Sequence, residues 1–158
     1  MNLMVKGLFS FVIILVLSGC SYVVQSRGEI PDDKVISIFA LKNYTDTPRA
    51  GERASNILEG ILLTKGYKVV SHVEKSTLSF EEMQKIAKED DAKYFLHGGV
   101  SEWRYKTGID GEPAVSLTCT LYKTKGAKVV WSATASDSDW GTSSIGTTAQ
   151  RIFESMIR

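Results

Sequence analysis

The chain has 158 residues, with 19 Lys and Arg against 18 Asp and Glu, which gives a net charge of +1. This length is enough for one compact domain with one hydrophobic core, and not for two. The charges are balanced and form neither a basic stripe nor a basic helix, which argues against binding to nucleic acid.

The N-terminus has the pattern of a secretory signal peptide. Lys6 is the one charged residue among the first nineteen and precedes an apolar run over residues 8–17, interrupted by Ser10. That run is too short to span a bilayer, which takes about 20 apolar residues. It ends in Leu-Ser-Gly-Cys, which resembles the lipobox of bacterial lipoproteins and predicts removal of residues 1–19 and lipidation of Cys20. An ordinary signal peptide with a chance cysteine is the alternative. In Gram-negative lipoproteins an Asp after the lipidated cysteine tends to retain the protein at the inner membrane. Ser21 at that position therefore indicates the outer membrane.

Residues 20–33 are mostly polar and are interpreted as a lipidated tether, followed by a single periplasmic α/β domain over residues 34–158. If Cys20 carries lipid, Cys119 has no partner within the chain. Cys119 lies on the same strand face as Leu117 and Leu121, so it is predicted to be a buried apolar residue. The alternative is a disulfide between chains.

The first half of the domain alternates strands and helices. A short apolar run over 35–41 predicts a buried strand, and residues 43–48 have loop composition. Residues 50–65 have one apolar helix face, and Gly66 stands where a C-cap glycine is expected. A second strand is predicted over 67–70. The apolar positions of the helix are Ala54, Ile57, Leu58, Ile61 and Leu62.

The second half predicts a helix, three successive strands and a final helix. Ser79 and Glu82 match a capping box that opens a helix ending near Asp90. Strands follow over 93–106, 115–123 and 129–136, and Gly98-Gly99 indicates a bulge or a close backbone approach. Residues 144–157 form the last helix. The order β-α-β-α-β-β-β-α predicts an α/β (α+β) fold, a mixed sheet with helices on one or both faces.

No catalytic, cofactor or metal motif is evident. His72 and His97 have no partner at metal-ligand spacing, and His97 is interpreted as a strand histidine satisfied by a neighbour. Glu81-Glu82 and Asp90-Asp91 are interpreted as solvated helix ends, in accord with the helix dipole for the first pair. The sequence therefore predicts a protein that is not an enzyme. A hydrolase is a further possibility, which a cleft holding paired carboxylates would favour.

Two loops have residues that folding alone does not explain. Residues 102–115 form a strand connection with Asp110 and Glu112 at its tip, a candidate working loop or an ordinary polar hairpin. Residues 136–141 place Trp140 in a small polar loop, where so large an apolar ring is expected to contact something. The alternative is that Trp140 folds back onto the core.

These loops, together with the lipobox, resemble the PelC family of outer-membrane lipoproteins from Pel exopolysaccharide export systems. The resemblance covers nearly the whole chain after Cys20, and residues 102–115 are its most specific part. Other matching segments are 36–40, Pro48, Ala50-Gly51-Glu52-Arg53, 129–133 and Trp140-Gly141.

The resemblance implies a non-enzymatic periplasmic protein whose fold is similar to the N-terminal domain of TolB and to curli-secretion lipoproteins. It implies a dodecameric ring on the inner leaflet of the outer membrane, below a PelB-type porin with periplasmic repeats. The ring would form an acidic funnel for a cationic amino-sugar polymer, exported during biofilm formation. The near-neutral charge does not itself reveal a funnel. The alternative is a monomeric periplasmic adaptor or ligand-binding lipoprotein of the same fold.

The resemblance also assigns roles to individual residues. Asp110 matches the pore-facing acidic residue, with Glu112 beside it, and Trp140 matches a tryptophan near the membrane. The arginine near the first helix matches either Arg49 or Arg53. Trp103, in the most specific segment, is assigned with them to structure or oligomer contacts.

Overall fold

The computed structural model of the chain describes residues 22–32, 35–75, 78–106, 111–139 and 143–157. These residues form seven strands and three helices. In chain order they are β1 (Tyr22–Arg27), β2 (Val35–Phe39), β3 (Lys42–Asn43), α1 (Ala50–Thr64), β4 (Lys68–His72), α2 (Phe80–Glu89), β5 (Tyr94–Tyr105), β6 (Pro113–Lys123), β7 (Val129–Ser138) and α3 (Ile145–Met156).

The strands form one mixed sheet in the order β1-β7-β6-β5-β2-β4, with β3 pairing to β5 beside this path. The β1, β7, β6 and β5 strands pair antiparallel, whereas β5, β2 and β4 pair parallel. The parallel part comes from the crossover units, and β5, β6 and β7 are joined by successive hairpin connections, whereas β1 pairs with β7 from the other end of the chain. This is the mixed α/β architecture that the sequence predicted.

The core lies on both faces of the sheet. Helices α1 and α3 pack against each other and against one face, over a large cluster that includes Ile36, Leu58, Leu117 and Phe153. Helix α2 packs on the other face over β2 and β5, in a smaller cluster around Phe95. On that second face no described helix covers β6 and β7, and their side chains there are mostly Ser and Thr.

Several local signals in the sequence are confirmed. Ser79 caps α2 in a full capping box with Glu82, and Gly66 follows α1 with a φ of +87°. Cys119 is fully buried, and burial raises the pKa of its thiol to about 12. The glycine pair allows close approach, since a Cβ on Gly98 would lie 2.0 Å from the carbonyl oxygen of Thr118.

Two strands were not predicted, and one of them corrects the tether. Residues 22–27, assigned from sequence to a polar tether over 20–33, form β1, which pairs along its whole length with β7. Val24 packs against the core, but Val23 on the opposite face is 55% exposed. An edge strand with one short core-facing residue gives little hydrophobic pattern, which is why composition predicted a tether. β3 is only two residues long.

Among the described residues, none of the helices is both long and apolar enough to cross a membrane.

Candidate functional site

The pairing of the strands brings the predicted functional segments to one end of the sheet. Tyr22, two residues after Cys20, lies opposite Asp137, three residues before Trp140. In the next pairing Ala114 lies opposite Ser138, and Tyr105 lies opposite Pro113 at the end of the hairpin that contains Asp110. The described residues that follow Cys20, precede Trp140 and flank Asp110 along the chain therefore lie at the same sheet end.

The hairpin between β5 and β6 closes at Lys106 and Glu112. The Lys106 amide donates a hydrogen bond to the Glu112 carbonyl oxygen at 2.7 Å. The Lys106 ammonium lies 3.6 Å from the Glu112 carboxylate, whose side chain is only 25% exposed. Gly111 has a φ of +52°, which favours glycine at this position. Lys106 thus partly neutralises Glu112. Asp110 lies outside the described residues.

The second predicted loop is shorter than expected. Residues 136–138, assigned to a loop over 136–141, continue β7 and pair with β6 on one side. Two of them also pair with β1 on the other side. Their Ser and Asp residues suggested a loop, but the ladder partners on both sides fix them as strand. Trp140 lies outside the described residues.

Arg151 links α3 to the end of β7. Its Nε lies 3.1 Å from Asp137 and its Nη2 lies 2.7 Å from Asp139. Ser143 also donates a hydrogen bond to Asp139. The hydrogen bond to Asp139 and the two nearby carboxylates raise the pKa of Arg151, although burial opposes them. The sequence did not indicate the role of Arg151, because its partners Asp137 and Asp139 lie at the end of another element, more than ten residues earlier in the chain.

The two candidate arginines have different surroundings. Arg49 is the N-cap of α1 with a φ of 60°, and its Nε donates to Glu52 at 2.6 Å. Its side chain is still 75% exposed. Arg53 is exposed on α1 and, within the described part of the chain, forms no ion pair. Arg49 is thus already engaged with Glu52, whereas Arg53 is not.

Trp103, assigned to structure or oligomer contacts, is a core residue of this chain. It is 4% exposed and lies opposite Val115 in the large hydrophobic cluster. Its carbonyl oxygen accepts a hydrogen bond from the Thr47 hydroxyl at 2.6 Å. Through this bond the end of β5 holds the loop that precedes α1.

Asp90 corrects the prediction of a solvated helix end. It is mostly buried and accepts hydrogen bonds from Ser37 at 2.6 Å and His72 at 2.8 Å. His72 also stacks on Phe39, with ring centroids 5.3 Å apart. The serine hydroxyl donates to the carboxylate instead of to the imidazole, so this is not the nucleophile–base pair of a hydrolase. The three residues tie the end of α2 to β2 and β4.

His97 also differs from its prediction. Its Nδ1 is buried without a hydrogen-bond partner among the described residues, so no neighbour satisfies it. Burial, together with the charge of Lys42, lowers its pKa. Within the described ranges, no group of three or more His, Cys, Asp and Glu residues could hold a metal ion.

A groove of about 720 Å³ contains two carboxylates, Glu52 and Glu82. Glu52 pairs with Arg49, and Glu82 accepts a hydrogen bond from the Ser79 amide at 2.7 Å. The hydrogen bonds from Ser79 lower the pKa of Glu82. A glycosidase needs one carboxyl whose pKa is raised so that it can donate a proton. Glu82, whose pKa is lowered, does not meet that need.

Comparison with known proteins gives matches to solved structures. No family model and no curated protein matches the sequence. The fold is similar to that of the PelC dodecamer from Paraburkholderia phytofirmans, with a TM-score of 0.76 and 29% identity over 86% of this chain and 94% of that chain.

Two more distant neighbours show the fold alone. One is the lipoprotein GNA1162 from Neisseria meningitidis, with a TM-score of 0.58 and 18% identity over 78% of this chain and 95% of that chain. The other is the LpoB C-terminal domain from Salmonella enterica, with a TM-score of 0.53 and 15% identity over 79% of this chain and 90% of that chain. The resemblance to the PelC family is confirmed by this structural similarity, and the chain has a mixed α/β fold.

Proposed function

We propose that this chain is an outer-membrane lipoprotein of a Pel-type exopolysaccharide secretion system. Copies of it form a ring whose acidic bore guides a cationic polysaccharide to a PelB-type outer-membrane porin, for export and biofilm formation. The similarity to the PelC dodecamer supports a homo-oligomer. The observation that carries the proposal is the convergence at one sheet end of the described residues next to Cys20, Trp140 and Asp110 in the chain.

The convergence matters because it orients the domain on the membrane. β1 begins two residues after Cys20, and two extended residues span only about 7 Å. A lipid on Cys20 would therefore hold this sheet end against the inner leaflet rather than on a long tether. The loop that contains Trp140 leaves β7 beside the start of β1, where a tryptophan suits the membrane–water interface.

Asp110 is the residue proposed to guide the polymer. In a closed cyclic ring each subunit places its Asp110 on a common circle. Like charges on a low-dielectric wall focus the electrostatic field and attract cations. Glu112 contributes less, because Lys106 already lies beside its carboxylate.

The bore is tested by Asp110→Lys in a strain that depends on this protein for polymer export. We expect export to fall while the protein stays folded and oligomeric, and Glu112→Gln is the control expected to have a smaller effect. Purified rings should bind a cationic oligosaccharide less well at high salt, since charges beyond about 10 Å are screened at 0.1 M. Normal export by a folded, oligomeric Asp110→Lys variant would count against the guiding role.

The anchor is tested by Cys20→Ser. We expect this precursor to remain uncleaved by the lipoprotein peptidase and unlabelled by fatty acid. Maturation to the usual size, with fractionation in the outer membrane, would refute lipidation of Cys20.

A monomeric adaptor or ligand-binding lipoprotein is the alternative. Multi-angle light scattering of the purified protein separates the two, because a ring predicts a species many times larger than the 17.4 kDa chain.

A further inference from the structure

Tyr44 is an aromatic side chain held in the open. It is 64% exposed, the largest value among the exposed large hydrophobic residues of the described chain. Its amide donates a hydrogen bond to the Val100 carbonyl oxygen at 2.9 Å, which ties its backbone to β5. Single exposed apolar residues are common, but an exposed aromatic ring at a fixed position is a typical ligand contact.

The loop that contains Tyr44 is held by hydrogen bonds within it. Asn43 accepts hydrogen bonds from the Thr45 amide at 2.9 Å and the Thr45 hydroxyl at 2.8 Å. The Asn43 side chain also donates to the Thr47 carbonyl oxygen at 2.8 Å, and Thr47 is bonded to Trp103. These bonds preorganise the backbone around Tyr44, which reduces the entropy lost when a ligand binds.

Gly99 makes room for the ring. A Cβ at Gly99 would lie 2.6 Å from Cε2 of Tyr44, so only glycine lets the ring sit so close to β5. The Lys42 ammonium lies 5.2 Å from the ring centroid, within cation–π range.

Beside Tyr44 lies a polar groove of about 480 Å³, a volume within the range of small-ligand sites. Its lining is rich in hydroxyl groups, with carboxylates from Asp46 and Glu102 and the guanidinium of Arg104. Both oxygens of Glu102 are used, by Arg104 at 2.9 Å and Ser116 at 3.4 Å. Asp46 is exposed and, among the described residues, forms no ion pair, so it can receive a cation.

We propose that the Tyr44 groove, formed by Tyr44, Asp46, Ser101, Glu102, Arg104 and Ser116, binds one amino-sugar unit of a cationic polysaccharide. This rests on the proposed function. The apolar face of the sugar packs on the Tyr44 ring, its hydroxyls bond to Ser101, Ser116 and Arg104, and its ammonium pairs with Asp46. The polar lining favours a hydroxyl-rich ligand, because the centre of a protein interface is typically apolar.

The position of the groove fits a path toward the bore. Arg104 and Ser116 lie on β5 and β6, near the end of the hairpin that contains Asp110. A chain seated in the Tyr44 groove would therefore continue along β5 toward that hairpin.

Calorimetric titration of the full-length lipoprotein in detergent with a glucosamine hexamer tests the proposal. We expect Tyr44→Ala to bind about tenfold more weakly and Tyr44→Phe to bind like the wild type. Gly99→Ala keeps the tyrosine in the sequence, but its new Cβ would displace the Tyr44 ring. It should therefore weaken binding similarly. Asp46→Asn should weaken binding of the glucosamine hexamer but not of the neutral N-acetylglucosamine hexamer. Leu63→Ala, which removes a 52% exposed side chain from α1, is the control.

The outcomes separate this subsite from the proposed function. If the wild type binds and Tyr44→Ala and Gly99→Ala bind equally well, the subsite is refuted and the acidic bore stands. If the wild type binds neither hexamer, both the subsite and guidance of a cationic polysaccharide are refuted. If Tyr44→Ala disrupts the oligomer on light scattering, Tyr44 is a subunit contact and the saccharide subsite is refuted.

Discussion

Replacing Arg151 by glutamine is expected to destabilise the domain by about 1–2 kcal/mol. The guanidinium joins α3 to the end of β7 through Asp137 at 3.1 Å and Asp139 at 2.7 Å. Glutamine keeps a polar side chain of similar reach but removes the charge and the two-carboxylate geometry. Asp137 and Asp139 then lose the guanidinium that joins them to α3.

The magnitude follows from exposure. The Arg151 side chain is 46% exposed, so solvent screening limits what each ion pair contributes to the free energy of unfolding. Exposed pairs typically contribute 0.2–1 kcal/mol, whereas a hydrogen bond to a charged group contributes roughly 1.5–3 kcal/mol. Asp137, only 9% exposed, lies nearer the second limit. With the Asp139 pair in the first range and the Asp137 pair at about 1 kcal/mol, after discounting for the exposure of Arg151, the sum is about 1–2 kcal/mol, or a fall in Tm of roughly 2–8 °C.

A double-mutant cycle with Asp137→Asn measures the interaction by thermal and urea unfolding at fixed protein concentration. Arg53→Gln is the matched control, since Arg53 is exposed on α1 and forms no ion pair among the described residues. The destabilisation should shrink in 1 M salt, where the Debye length is about 3 Å. Additive effects of Arg151→Gln and Asp137→Asn, or a loss no larger than that of Arg53→Gln, would refute the reasoning.

Three other predictions follow from single side chains. Trp140→Ala should leave Tm and oligomer size nearly unchanged but weaken liposome binding of the lipid-free mature protein; a loss of roughly 3–5 kcal/mol with unchanged liposome binding would instead indicate a core role. Gly51→Ala should lower the free energy of unfolding by about 3 kcal/mol or more, because its Cβ would lie 1.8 Å from the Leu41 carbonyl oxygen. Gly60→Ala is the control: its Cβ would meet nothing within 4 Å, so it should not destabilise the domain. Burial lowers the pKa of His97, so the unfolded state binds the proton more readily, and stability should fall as pH drops below about 6.5. His97→Gln should flatten that dependence in urea unfolding.

Features set by residues close in the chain could be read from the sequence. The capping box of Ser79 and Glu82 needs only three residues of spacing, and it forms as predicted. The buried position of Cys119 follows from alternation along one strand. The apolar face of α1 likewise follows from helical periodicity.

Features that depend on distant partners could not be read in this way. Asp90 looks like a solvated helix end until β2 and β4 bring Ser37 and His72 to it. Asp137 looks like a loop residue until β6 and β1 pair with its strand and α3 supplies Arg151. In both cases the composition indicates a polar surface, and the tertiary contacts convert it into a fixed structural tie.

The sequence by itself determined the order of the main helices and strands, the face of each that is buried, and the segments to which function was assigned, because hydrophobic periodicity and capping act over a few residues. Only the tertiary structure decided that residues 22–27 extend the sheet and place Tyr22 opposite Asp137, near the end of β7. It also decided that the Tyr44 ring lies against Gly99 while it remains exposed. These relations arise from strand register across the sheet, which the local pattern of a single edge strand or loop does not specify.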